Sequence, residues 1–207
     1  PLARQLGAVN TLAIRDGRLF GYNTDGPGFL RSAKEAFGVD VRDLSILILG
    51  AGGGAGRAVA VQCALAGARR LVLTNRTPEK AIQIKDEILK LNPRLEVRTA
   101  QPETGSPYLC TAASVAEVDL IVNATSLGMK DVDPALIPPN SLRAGQMIFD
   151  MVYRAGGETA LIQAARQAGA KHVDGMGLLL HQGAISFEHW FGGSAPLEVM
   201  RAGLIAA

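Results

Sequence analysis

Cysteine is scarce in this chain: of 207 residues only Cys63 and Cys110 carry a thiol. Two thiols so far apart supply neither a disulfide framework nor a metal-ligand spacing, and they fit a reducing, cytoplasmic compartment. Histidine is little better represented. His172, His181 and His189 do not cluster with carboxylates at ligand spacing, so no metal is expected. Charge of one sign is also missing: 21 Lys and Arg against 19 Asp and Glu leave a net charge of +2. That is too little to draw nucleic acid or a membrane surface, and the basic residues stand singly or in pairs such as Arg69 and Arg70. Aromatics make up 5% of the chain and do not interleave with those charges. No apolar run approaches the roughly 18 residues of a spanning helix, and no signal-peptide pattern opens the sequence. The first residue is Pro1 and not Met, which suggests processing or truncation. The expected product is a compact α/β protein, monomer or homodimer.

What the chain has in quantity is glycine, 24 residues, and its densest run is Ser45 to Gly56, SILILGAGGGAG. Ile46 to Leu49 form an uninterrupted apolar strand of the kind buried on both faces of a parallel sheet. Gly50, Ala51, Gly52, Gly53 and Gly54 then open a helix carried by Ala58, Val59, Val61, Ala64 and Leu65, with Gly67 as its stop. A strand, a glycine turn and a helix N-terminus place backbone N–H groups against a pyrophosphate. The extra glycine leaves the third small position open between Ala55 and Gly56. One helix length later LVLTNRT places Asn75, Arg76 and Thr77 where an adenosine ribose with free hydroxyls usually finds Asp or Glu. A carboxylate would repel a 2′-phosphate, whereas Arg pairs with it through two donors. NADP is therefore expected, with NAD as the alternative. Lys80 is placed to reach the same phosphate, and Thr77 with Pro78 reads as a helix cap.

Around this motif the periods alternate: strands at 45–49, 70–74, 95–99, 119–123, 146–150 and 171–173, helices at 55–66, 78–91 and 158–168. This is the pattern of a Rossmann-type doubly wound parallel sheet. Asp16-Gly17 between two short apolar runs marks a hairpin over 11–24, Phe29 to Phe37 reads as a helix ended by Gly38, and helices are expected at 178–190 and 197–205. Stretches 101–106 and 131–141 read as loops. Phe187 and Trp190 read as core, and His181 as a helix-surface residue.

Five further motifs follow in order: GAVNT (Gly7 to Thr11), GYNTDGPGF (Gly21 to Phe29), NATSLGM (Asn123 to Met129), DMVY (Asp150 to Tyr153) and DGMGLLLHQGA (Asp174 to Ala184). With the glycine turn they resemble the shikimate dehydrogenase family, including its quinate/shikimate branch, over nearly the whole chain. The resemblance implies reversible hydride transfer between NADPH and 3-dehydroshikimate, giving shikimate. It implies that Asp25 acts on the reacting hydroxyl together with a lysine, and that Asn10, Tyr153 and Gln182 also contact substrate. Met151 and Gly175 then line the nicotinamide pocket, with Asn123, Thr125 and Ser126 in the loop beneath the dinucleotide.

On this reading residues 1–27 are the C-terminal remnant of an N-terminal α/β substrate-binding domain and 28–43 a connecting helix and linker. Residues 44–177 form the NADP-binding domain, and 178–207 are helices packing back toward the substrate domain. The family's lysine matches no position here, since Lys34 lies beyond NTDG, so poor turnover by this chain is expected. Arg154-Ala155 replaces the Asn-Pro common after DMVY. Two other readings stand beside this one, an NAD-using quinate/shikimate dehydrogenase and a non-catalytic dinucleotide-binding module.

Overall fold

The computed structural model describes residues 2–101, 104–154 and 156–206, so the expected loop at 101–106 and the Arg154-Ala155 pair fall partly outside the described residues. Strand β3 (Ser45–Leu49) has four apolar residues with no exposed surface, Ile46 to Leu49, because it lies inside a six-stranded parallel sheet covered on both faces. The strand order is β5 (Glu96–Thr99), β4 (Arg70–Thr74), β3, β6 (Leu120–Asn123), β7 (Met147–Asp150), β8 (Lys171–Val173), the doubly wound arrangement. Leu47 stands opposite Val72 on one side and Ile121 on the other.

Alternate side chains serve opposite layers. Ile46 and Ile48 pack with helices α2 (Asp25–Phe37), α3 (Gly54–Leu65) and α4 (Pro78–Leu91), where Phe29 meets Phe149 edge-on at 4.9 Å. Leu47 and Leu49 pack with α5 (Ala112–Ala116) and α6 (Ala160–Gln167). The winding reverses between β3 and β6, which leaves a crevice at their C-terminal ends, the usual ligand position in such sheets.

The hairpin forms as expected from Asp16-Gly17: β1 (Thr11–Arg15) pairs antiparallel with β2 (Arg18–Tyr22), and both turn residues have positive φ, 48° and 69°, the geometry a two-residue turn demands. Two short helices were not legible, α1 (Leu2–Leu6) and α5. Five residues carry too little periodicity to register, although α5 has a cap, the Thr111 hydroxyl accepting the Ser114 N–H at 3.2 Å.

Helix α2 starts at Asp25, not at Phe29. Gly26, Pro27 and Gly28 look like a loop in sequence, yet Pro27 stands in the first turn, where no N–H is required. The Asn23 side chain accepts the Gly26 N–H at 3.2 Å. The glycines are notches for neighbours: a Cβ on Gly28 would lie 3.0 Å from the backbone nitrogen of Gln182, and one on Gly26 would lie 2.9 Å from Cβ of Gln62. The boundary expected between residues 27 and 28 thus falls inside a continuous helix, held between α3 and α7 (Met176–Phe191).

Two further expectations are corrected. Trp190 is not core: it is 53% exposed and donates its indole N–H to the Leu12 carbonyl at 2.8 Å, lying across the hairpin. His181 is not on the surface. It is 6% exposed, with Nε2 at 2.5 Å from Glu35 of α2, while Arg201 of α8 (Leu197–Ala206) holds the other carboxylate oxygen at 2.6 Å. Burial pushes the Glu35 carboxyl upward, but the His181 hydrogen bond and the Arg201 charge outweigh it and leave it below the usual value.

Candidate functional site

The glycine turn sits at the head of the crevice. Gly50 has φ 84° and donates its N–H to the Thr74 carbonyl at 2.9 Å; Ala51 donates to the same oxygen at 3.0 Å. A Cβ on Gly50 would press on Thr125 at 2.6 Å, and a Cβ on Gly56 would overlap the carbonyl oxygen of Gly50. The close-packed third small position is therefore Gly56, and Ala55 is not it. Beyond the turn the space is open, since a Cβ on Gly54 would meet nothing within 4 Å. Among the described residues no turn or cap hydrogen bond uses the N–H of Gly54, Ala55 or Gly56. Free donors at a helix N-terminus facing open space fit an anionic pyrophosphate.

Asn75 ties this turn to the next one: its Oδ1 accepts the Gly52 N–H at 3.2 Å and its Nδ2 donates to the Thr77 carbonyl at 3.0 Å. Both ends of the amide are used locally. Thr77 precedes α4 with extended backbone and Pro78 follows, but its hydroxyl makes no capping bond; its carbonyl secures the turn instead, accepting from Asn75 and from the Lys80 N–H at 3.1 Å. Arg76 and Lys80 are exposed, and the Lys80 stem leans over Gly52, whose Cβ would lie 2.6 Å from its own.

Under the crevice Asn123 is wholly buried and fully engaged. Its Oδ1 accepts Thr125 N–H at 3.0 Å and Thr125 hydroxyl at 2.7 Å; its Nδ2 donates to Leu127 carbonyl at 3.1 Å and to Asp150 at 2.8 Å. Asn123 therefore shapes the loop from inside and offers a ligand nothing, while Ser126 of the same loop is exposed. Asp150 is a buried hub that the sequence reading missed as a functional element. It accepts from Asn123, from the Val152 N–H at 3.0 Å and from the Thr159 hydroxyl at 2.5 Å. Burial raises its carboxyl pKa, and those three donors act against the rise. The hub fixes Met151 and Val152 beyond β7. Gly175, at the start of α7, lies so close that a Cβ would overlap the Met151 carbonyl oxygen. Met151 and Gly175 thus share one wall, and Tyr153 stands beside it, 48% exposed.

The other wall comes from the hairpin and α2. Asn10 Nδ2 donates to Asp25 at 2.8 Å, while its Oδ1 accepts the Thr24 N–H at 2.9 Å and lies 3.2 Å from the hydroxyls of Thr11 and Thr24. The amide N–H of Thr24 can only donate, so the orientation of the Asn10 amide is fixed. Its oxygen is occupied, and only its second N–H remains for a ligand. Gly28, one turn along α2 from Asp25, lets α7 approach at the level of Gln182, whose backbone nitrogen would lie 3.0 Å from a Cβ there. Lys34 sits in the last turn of α2, at the far end from Asp25.

Burial raises the Asp25 carboxyl above its ordinary value of 3.8, with the Asn10 hydrogen bond opposing. A carboxyl that holds its proton more tightly folded than unfolded makes the fold lose stability as pH rises from the ordinary value through the raised one. Asp25→Asn is therefore expected to melt at a higher temperature than the native chain near neutral pH. The difference should vanish below about pH 3, where both states are protonated. Calorimetric melts across that range check the sign.

A cavity of about 530 Å³ lies between the 127–142 loop and α6, but it contains none of Asn10, Asp25, Gln182 or the glycine turn. Among the described residues no group of three or more His, Cys, Asp or Glu is arranged to hold a metal, and no helix is long and apolar enough to cross a membrane.

Comparison with known proteins bears on the family of the chain. The family described as Shikimate 5'-dehydrogenase C-terminal domain matches residues 175–204. A protein of Symbiobacterium thermophilum named shikimate dehydrogenase (NADP(+)) is 43% identical, over 100% of this chain and 69% of its own length. The crystal structure of shikimate 5-dehydrogenase from Thermus thermophilus in complex with NADP(H) and shikimate superposes with a TM-score of 0.81 at 33% identity, covering 100% of this chain and 70% of that one. Quinate dehydrogenase from Corynebacterium glutamicum in complex with NAD gives a TM-score of 0.86 at 30% identity, covering 99% and 70%. The dinucleotide-type turn, the Asn10–Asp25 pair and relatives of this identity over this much of their length agree, and the chain belongs to the shikimate dehydrogenase family.

Proposed function

We propose that this chain binds NADP and forms one wall of the cleft in which 3-dehydroshikimate and shikimate are interconverted. The observation that carries the reading is the Asn10–Asp25 pair, joined at 2.8 Å, within the same molecule as a free-donor glycine turn. The free N–H groups of Gly54 and Ala55 would hold the pyrophosphate, with Gly52 and Gly53 engaged in shaping the turn, Arg76 and Lys80 the 2′-phosphate, and Met151 with Gly175 the nicotinamide. The bound nicotinamide supplies or accepts the hydride. The chain's own residues hold and orient the polyol: the free N–H of Asn10 and the Gln182 amide meet ring hydroxyls on one side, Tyr153 closes the other side, and Asp25 accepts from the hydroxyl that becomes carbonyl. A carboxyl with a raised pKa exchanges protons closer to neutrality than an ordinary one. Residues 1–27 and 178–207 belong on this reading with the substrate side, and 44–177 with the cofactor.

The family's lysine has no counterpart at any matching position, so turnover by this chain is expected to fall short of a complete homologue by roughly 10²–10⁴-fold, the usual worth of a positioned proton donor. Shikimate titrated into the NADP-loaded chain is expected to saturate in the millimolar range or below. No saturation there, with NADP still bound, would favour a dinucleotide-binding module, whereas turnover equal to a homologue would refute the assignment of the proton step to the missing lysine.

A further inference from the structure

Behind Asn10 lies a second layer of hydroxyls, each nine-tenths or more buried: Thr11 at 3% exposure, Thr24 at 1% and Ser186 at 8%. Ser186, on α7, stands 2.9 Å from the Gln182 carbonyl one turn before it, 2.7 Å from the Thr11 hydroxyl and 3.4 Å from that of Thr24. Thr11 and Thr24 in turn reach Asn10 Oδ1. Each hydroxyl carries one proton, so Ser186 donates either to the Gln182 carbonyl or to Thr11; in the second arrangement Thr11 and Thr24 both donate to Asn10 Oδ1, and an unbroken path joins Ser186 to Asn10. No hydroxyl proton is then left over. That path runs from the amide that grips Asp25, through the hairpin, to α7.

We propose that Ser186 is a positioning residue that sets the aim of Asn10 toward its ligand through the Thr11 hydroxyl. It touches no substrate itself. The proposal rests on the functional reading above only for the identity of the ligand; the coupling between Ser186 and Asn10 is a property of the chain with or without one.

The test uses the ¹⁵N-labelled chain. In Ser186→Ala the Asn10 side-chain NH₂ signals are expected to move and to exchange with solvent faster, by roughly 2- to 10-fold, the worth of one neutral hydrogen bond. The shikimate dissociation constant of the NADP-loaded chain should rise by roughly the same factor, with that of NADP unchanged. Thr11→Val removes the same link from the other side and should reproduce the effect. The double variant should be no worse than either single one, because contacts within one network do not add. Ser186→Thr, which keeps the hydroxyl, should return toward native behaviour. Unmoved Asn10 signals in folded Ser186→Ala and Thr11→Val, or strictly additive losses, would overturn the proposal. Should the native chain bind no shikimate, the functional reading fails while the Asn10 signals still decide this one.

Discussion

Arg76→Ala is expected to weaken NADP binding by roughly 10- to 150-fold while leaving NAD binding within about twofold, because one charge-assisted hydrogen bond is worth about 1.5–3 kcal/mol. On the proposed reading Arg76 is the residue on which the preference turns. Asn75, at the end of β4 where a ribose-binding carboxylate would stand, has both ends of its amide committed to Gly52 and Thr77, so it discriminates through neither donor nor acceptor. Arg76 itself is exposed and makes no ion pair among the described residues, which leaves the guanidinium fork available for a phosphate. Lys80 is exposed too and adds a point charge on a flexible stem, so Lys80→Ala should lose less, about 1 kcal/mol or under. Both losses should shrink as salt rises, since the site is open to solvent. Paired titrations with NAD and NADP measure the effect. A native chain that binds the two equally would remove Arg76 from the site.

The proposed phosphate site was readable because it depends on residue types at fixed offsets from a strand: β3 and β4 are short, largely apolar and closed by glycine and Asn-Arg, and each announces its end. The same holds for the hairpin, whose Asp16-Gly17 turn needs positive φ at both residues. Asp25 was readable as a motif member but not as a helix residue, because Gly26, Pro27 and Gly28 oppose helix in isolation and are tolerated only where α3 and α7 crowd the helix on two sides. Local propensity lost there to tertiary packing.

What sequence could not supply is who partners whom across distance. The burial of His181 depends on Glu35 and Arg201, which are 146 residues before it and 20 after it and come from two other helices. Asn10 offers a donor only, because Thr24 and not solvent takes its oxygen. Asn123 and Asp150 form one buried unit because β6 and β7 are neighbours in register, Asn123 opposite Asp150. In each case the residue type permits several roles, and the strand order or the helix contact selects one.

The position of the third small residue, open in sequence between Ala55 and Gly56, carries the second large expectation. Glycine to alanine inside a helix ordinarily gains about 1 kcal/mol. At Gly56 the added Cβ would overlap the Gly50 carbonyl oxygen and would also lie 2.9 Å from its carbon and 3.1 Å from Cα of Ala51, all of it backbone. No side chain can swing aside, and the turn is pinned to β4 by the Gly50 and Ala51 bonds to Thr74, so α3 must move off the sheet. Overpacking of this kind costs roughly 1–3 kcal/mol, enough to cancel or outweigh the helical gain and lower the melting point. The larger effect is on binding: shifting α3 withdraws the Gly54 and Ala55 donors from the pyrophosphate, and losing two charge-assisted bonds corresponds to a weakening of at least about 100-fold. Ala55→Gly, by contrast, should cost about 1 kcal/mol of helix stability and keep NADP affinity, because Ala55 meets no such backbone. Thermal melts and NADP titration of the two variants separate these outcomes, and the reverse pattern would place the close packing at Ala55.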